Sequence, residues 1–161
     1  MAAASTTERT LIAGIGYSNL RDGSVGPVLA ARLAGRSWPD GVEIDDYSFG
    51  AIDAVHRLRD GAFARAIFFG AHERGDAPGT IRRYRWSGGH DPATVQERVA
   101  EAAQAVISLE HTLIVAGHFK ALPPETLVFE VEPADLGFGE GFTSEVEVAV
   151  KMLEEELSGL A

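Results

Sequence analysis

The sequence predicts an α/β protein: one three-layer domain, with a mostly parallel sheet of about five strands and helices on both faces. Three observations predict it. Apolar runs of strand length alternate along the chain with segments of helical period. Some of the strand runs are continuously apolar, as strands covered on both faces must be. The 161 residues, 45% hydrophobic and 24% charged, suffice for one well-buried core and are too few for two comfortable ones. A single domain over residues 1–161 is expected, with residues 1–9 as a flexible tail.

The elements follow in order. "TLIAGIG" at 10–16 is a short apolar run ended by glycine and reads as a buried central strand. A helix should follow, capped by Ser24, tolerant of Pro27 in its first turn, with Val25, Val28, Leu29 and Leu33 at helical spacing and Gly35 as its stop. "VEIDDY" at 42–47 is the second strand. "AIDAVHRLRDG" at 51–61 is a short helix with Ile52, Val55 and Leu58 inward and Gly61 beyond its end. "FARAIFFGA" at 63–71 is the third strand, aromatic and apolar, and "TIRRYRW" reads as an exposed fourth. Val95, Val99, Ala102, Val106 and Ile107 mark a helix starting near Thr94. "SLEHTLIVAGHF" fits helix and strand equally, because a short apolar run carries no clear period. Leu127, Phe129 and Val131 alternate as a further strand, and Ser144 with Glu147 forms a capping box for a last helix carrying Val146, Ala149, Val150, Leu153 and Leu157 on one face.

Charge and composition remove several classes of function. The formal net charge is -10, and the 14 Lys and Arg are scattered, apart from Arg82, Arg83 and Arg85 on the exposed strand. A nucleic-acid backbone rewards the opposite arrangement. With no cysteine, disulfides, zinc ribbons, iron-sulfur clusters and thiol nucleophiles are excluded, so any metal must sit on Asp, Glu and His. The N-terminus lacks the pattern of a secretory signal, and no run approaches 18 apolar residues. A cytoplasmic protein without membrane insertion is expected.

Ligand crevices in open α/β sheets lie outside the carboxyl ends of the strands, so chemistry is sought in the loops that follow them. Asp22 follows the first strand, Asp45 and Asp46 end the second, His72, Glu73 and Asp76 follow the third, and His90 precedes the long helix. On one rim they would make a carboxylate and imidazole cluster suited to zinc or nickel. Each also has a plainer role: acids at loop tips are usually solvated, His90 before "DP" can orient a turn, and His56 suits a half-buried helix face. His111 and His118 are two helical turns apart with no third ligand in view. "GIGYSN" lacks the third glycine of a dinucleotide fingerprint, which ranks a nucleotide-binding domain low, and "DGSVG" uses Ser24 as a cap rather than as a nucleophile.

Six pieces in sequence order then carry a likeness: "GIG…RDGSVGP", "VEIDDYSFG", "APGT" at 77–80, "GGHDP" at 88–92, "VEP" at 131–133 and "GFTSEV" at 141–146. From about Leu11 to Leu157 the chain resembles the hydrogenase maturation proteases, which remove a C-terminal extension from the large subunit of nickel-iron hydrogenases. The resemblance implies a five-stranded twisted α/β sheet and cleavage without a conventional nucleophile. It further implies that a first-loop carboxylate, an aspartate after strand two and a histidine before the long helix clasp nickel already placed in the substrate.

Carried over by position, the aspartate is Asp46 and the histidine His90; the first-loop acid falls on Gly23, and a shift of one residue gives the role to Asp22. The aspartate usual after strand three falls on Gly70, with His72 and Glu73 as substitutes, and about ten residues around "SLEHTLIVAGHFK" lengthen the chain relative to many relatives. The expected partner is a large-subunit precursor. Its nickel is the expected metal, with zinc or cadmium as a stand-in in the isolated protein. The expected function is a metal-dependent endopeptidase with Asp22, Asp46 and His90 as catalytic residues and metal ligands, and the alternative is a family member that binds the hydrogenase subunit or its nickel without cutting.

Overall fold

A computed structural model describes residues 8–88, 92–101 and 107–160. The expected tail therefore lies largely outside the described residues. Five strands form one sheet: β1 (Thr10–Gly14), β2 (Val42–Asp46), β3 (Arg65–Ala71), β4 (Ile81–Arg85) and β5 (Glu125–Val131). Their order is β2-β1-β3-β5-β4, with every neighbouring pair parallel except β4 with β5. The helices are α1 (Val25–Ala34), α2 (Ala51–Gly61), α3 (Pro92–Glu101), α4 (Leu109–His118) and α5 (Ser144–Leu160), and a 3-10 turn at Arg21–Ser24 precedes α1. No helix among the described residues is long and apolar enough to cross a membrane.

The sheet separates two apolar layers, as the continuous strand runs require. Ile12, Ile67, Phe69 and Val131 face α1 and α5 through Leu29, Leu33, Val150 and Leu153. On the other face Leu11, Ala13, Phe68 and Val128 meet α2 and α4 through Val55, Leu58, Leu113 and Val115. Full burial of each such side chain is worth about 1.5–3 kcal/mol, so these layers dominate the stability. The central strand can sit this close to α1 because both backbones carry glycine at the contact. A Cβ on Gly14 would lie 2.1 Å from the Gly26 carbonyl oxygen.

Several local expectations are corrected by packing. Ser24 precedes α1, but its hydroxyl donates to the Arg21 carbonyl at 2.6 Å, and no side-chain cap bond forms. Ile52 is 39% exposed, and Ala51 and Ala54 take the inward places of α2 beside Val55 and Leu58. Gly61 is the last residue of α2 and the left-handed position beyond it is Ala62; a Cβ on Gly61 would lie 2.1 Å from the Phe63 ring, which would have to move to admit it. The ambiguous segment is helix α4, begun by Ser108, whose hydroxyl accepts from the His111 N–H at 3.0 Å. Ile107 precedes that helix rather than ending α3; Ala102 and Val106 lie outside the described residues. At α5, Glu147 reaches Arg32 of α1 at 3.1 Å instead of closing a capping box.

Candidate active site

From β1 the chain passes through α1 to β2 on one side, and from β2 through α2 to β3 on the other. The winding thus reverses between β1 and β3, the place where an open sheet leaves a crevice beyond its carboxyl ends. A cleft of about 200 Å³ lies there. Ile15, Gly16, Tyr17, Leu20 and Gly23 line it from the first loop, Ala71, His72 and Glu73 from the loop after β3, Ile107, Ser108 and Leu109 from the start of α4, and Pro133 and Leu136 from beyond β5. The lining is mainly apolar. Among the described residues its ionisable members are Tyr17, His72 and Glu73. The Tyr17 hydroxyl accepts from the Ile107 N–H at 3.2 Å, tying the first loop to the approach to α4. A shallower depression of about 450 Å³ continues past Tyr17 and Leu20 to Asp46, Ser48 and Phe138.

Asp22, the expected first-loop ligand, is fully buried. Its Oδ2 accepts from the Ala134 and Asp135 N–H groups at 2.9 Å and from the Thr143 hydroxyl at 2.8 Å, and its Oδ1 from the Thr143 N–H at 2.8 Å. Burial pushes this carboxyl's pKa up, but the bonds from Asp135, Thr143 and Ala134 outweigh it and hold the group below its ordinary value. Four donors occupy the lone pairs, so the carboxylate fastens the loop between β5 and α5 to the 3-10 turn. It is not presented to the cleft as a ligand.

Asp46, by contrast, is exposed at the end of β2, where its Oδ1 accepts the Ser48 N–H at 2.9 Å and its side chain borders the shallow depression. Asp45 faces Arg57 at 3.2 Å, and Asp76 forms a two-bond pair with Arg82. His56 is exposed rather than half-buried, and His118 is exposed at the end of α4, while His111 is buried with its Nε2 2.7 Å from the Arg98 carbonyl oxygen. His90 lies outside the described residues. The residues before it, Trp86 to Gly88, line a depression with His118 and Lys120 at the far end of α4, because β4 runs antiparallel and ends at the edge opposite the cleft. Among the described residues, no three of His, Asp and Glu converge in a way that could hold a metal ion.

The two glycines at expected acid positions differ. A Cβ on Gly70 would lie 2.5 Å from the Ile15 carbonyl oxygen, so this backbone excludes any side chain there. A Cβ on Gly23 would meet Leu20 Cβ at 3.1 Å and Leu136 Cδ2 at 3.4 Å, a tight but adjustable fit beside the cleft.

Sequence reasoning missed a second set of acids. Glu130 and Glu132 are buried at the end of β5. Glu130 accepts two bonds from the Arg74 guanidinium, at 2.7 and 2.9 Å, and one from the Tyr84 hydroxyl at 2.5 Å. Glu132 accepts the Arg74 and Gly75 N–H groups, both at 2.8 Å. Together they fix the loop that carries His72 and Glu73. Glu110 was missed as well: its Oε2 lies 3.6 Å from His72 Nε2. The signal for the first pair was present in "FEVEP", since acids two apart in an apolar strand must find donors.

No protein-family model and no curated protein matches the chain. Solved structures do. The crystal structure of a hydrogenase 3 maturation protease is similar with a TM-score of 0.70 and 21% identity, over 98% of this chain and 94% of that one. The hydrogenase maturating endopeptidase HybD from E. coli gives 0.69 and 24%, over 92% and 89%. A hydrogenase 2 maturation peptidase from Thaumarchaeota archaeon SCGC_AB-539-E09 gives 0.64 and 24%, over 93% and 96%. At these identities the likeness establishes a shared fold.

Proposed function

We propose that the chain is a hydrogenase maturation endopeptidase, a cytoplasmic enzyme that removes the C-terminal extension of a nickel-iron hydrogenase large subunit after nickel insertion. The observation that carries this reading is the end-to-end likeness to proteins named for that activity, over 92% or more of the chain, with the cleft at the sheet's winding reversal. In this reading the cleft and the depression beside it receive the precursor's C-terminal segment, and Asp46 reaches the nickel, which is part of the substrate. One protein carboxylate holds a metal only if the substrate supplies the rest, so selectivity for nickel-loaded precursor follows. Asp22 acts indirectly, by holding the rim.

A second reading, binding without cutting, is favoured by the filled coordination of Asp22 and by the exclusion of a side chain at Gly70. One experiment separates them. The protein is incubated with nickel-loaded and nickel-free precursor, and the precursor's intact mass and its retention on the protein are followed. Loss of the C-terminal peptide from the loaded form alone supports the peptidase; retention with unchanged mass supports binding; neither outcome removes both readings.

A further inference from the structure

We propose that His72 is a catalytic residue of the cleft, transferring a proton during peptide-bond hydrolysis, and that Glu110 is its positioning residue. The inference rests on the peptidase reading and gives a definite chemical role to a residue that the resemblance offers only as a substitute for the aspartate usual after strand three. Among the described residues, His72 is the imidazole that lines the cleft. Its Nε2 faces the Glu110 carboxylate at 3.6 Å, across from the first turn of α4. An anion at that distance favours the tautomer protonated on Nε2, which leaves Nδ1 as the nitrogen with a free lone pair. The side chain is 21% exposed, enough to meet water and little enough to be held.

The loop under His72 is built for position. The His72 N–H bonds the Val131 carbonyl at 3.1 Å, Glu132 takes the next two backbone N–H groups that follow Glu73, and Glu130 clamps the Arg74 side chain. Burying two carboxylates and an ion pair is a poor route to stability, because desolvation offsets most of the attraction. What such an arrangement supplies is a fixed geometry, and the geometry fixed here is that of His72. The cleft also opens beside the start of α4, whose positive end favours a developing oxyanion.

The step balances with water as the only added reactant. Nδ1 of His72 takes a proton from a water molecule as its oxygen bonds to the scissile carbonyl carbon, and the carbonyl electron pair moves to oxygen. When the tetrahedral intermediate collapses, the C–N bond breaks and His72 gives its proton to the leaving nitrogen. The imidazole ends neutral, as it began.

Single-turnover cleavage of nickel-loaded precursor by the full chain, with binding measured in parallel, tests this. His72→Gln should slow cleavage about 100-fold or more, the range of a lost general base, with precursor affinity within about threefold of the unaltered protein. Glu110→Gln should slow it about tenfold at saturating precursor, with precursor affinity again within about threefold, because the imidazole loses the carboxylate that orients it. Glu110→Asp should recover part of the rate, and circular dichroism melts confirm folding of each variant. Cleavage by His72→Gln at the unaltered rate, or a loss explained by binding, overturns the role of His72 alone. A precursor left uncut by the unaltered protein removes the peptidase reading and this role together.

Discussion

Asp22, in the 3-10 turn after β1, and Asp46, the last residue of β2, both lie at the carboxyl edge of the sheet, with similar neighbours of glycine, serine and acid. Their structural fates diverge. Asp22 has no exposed surface and accepts four bonds, three of them from backbone N–H groups of the segment after β5. Asp46 stands in solvent beside a depression and accepts one local turn bond. A carboxylate whose lone pairs are filled by the fold has become architecture, and one left open remains available for chemistry.

The strongest way to break this comparison is Asp22→Ala. Three backbone N–H groups and a hydroxyl would lose their acceptor in a buried site, and unfolding in urea should show a loss of about 3 kcal/mol. A loss near that of an ordinary surface change would mean that the segment after β5 holds itself. Gly70→Ala comes next: the added carbon meets the Ile15 carbonyl, and about 2 kcal/mol should be lost by overpacking. An unchanged urea midpoint would show that an acid could have stood there after all.

Acid sharpens the comparison further. The folded pKa of Asp22 lies below its unfolded value, so its contribution is fully present above that unfolded value of about 3.9 and is lost as pH falls through the folded one. Urea midpoints for the unaltered protein and Asp22→Asn should therefore stand apart at neutral pH and draw together below about pH 4. A gap that stays constant down to pH 3 would contradict the assigned ionisation. The smallest effect on stability belongs to Asp46→Asn, within about 0.5 kcal/mol. Its effect should appear instead as slower processing of nickel-loaded precursor, read from the same mass assay.

Most of the fold was legible because its strands are continuous apolar runs and its parallel connections need helices. The exception, α4, is instructive. Leu113, Ile114, Val115 and Ala116 are all buried, so the helix has no polar face in that stretch from which to read a period. The site was less legible. That Gly23 and Gly70 lack acids is plain from the chain, but what fills the oxygens of Asp22 depends on N–H groups more than a hundred residues away. Glu110 likewise acquires meaning only when α4 is placed against the loop after β3. Local pattern finds elements; it does not find which loops meet.

The partners of Asp22 are separated from it by 112 to 121 positions along the chain. During synthesis on a ribosome, that rim can close only after the chain through Thr143 has emerged, when all five strands of the sheet are already available. The mouth of the cleft is thus the last part to be assembled, and an unfinished chain would have no completed doorway to offer.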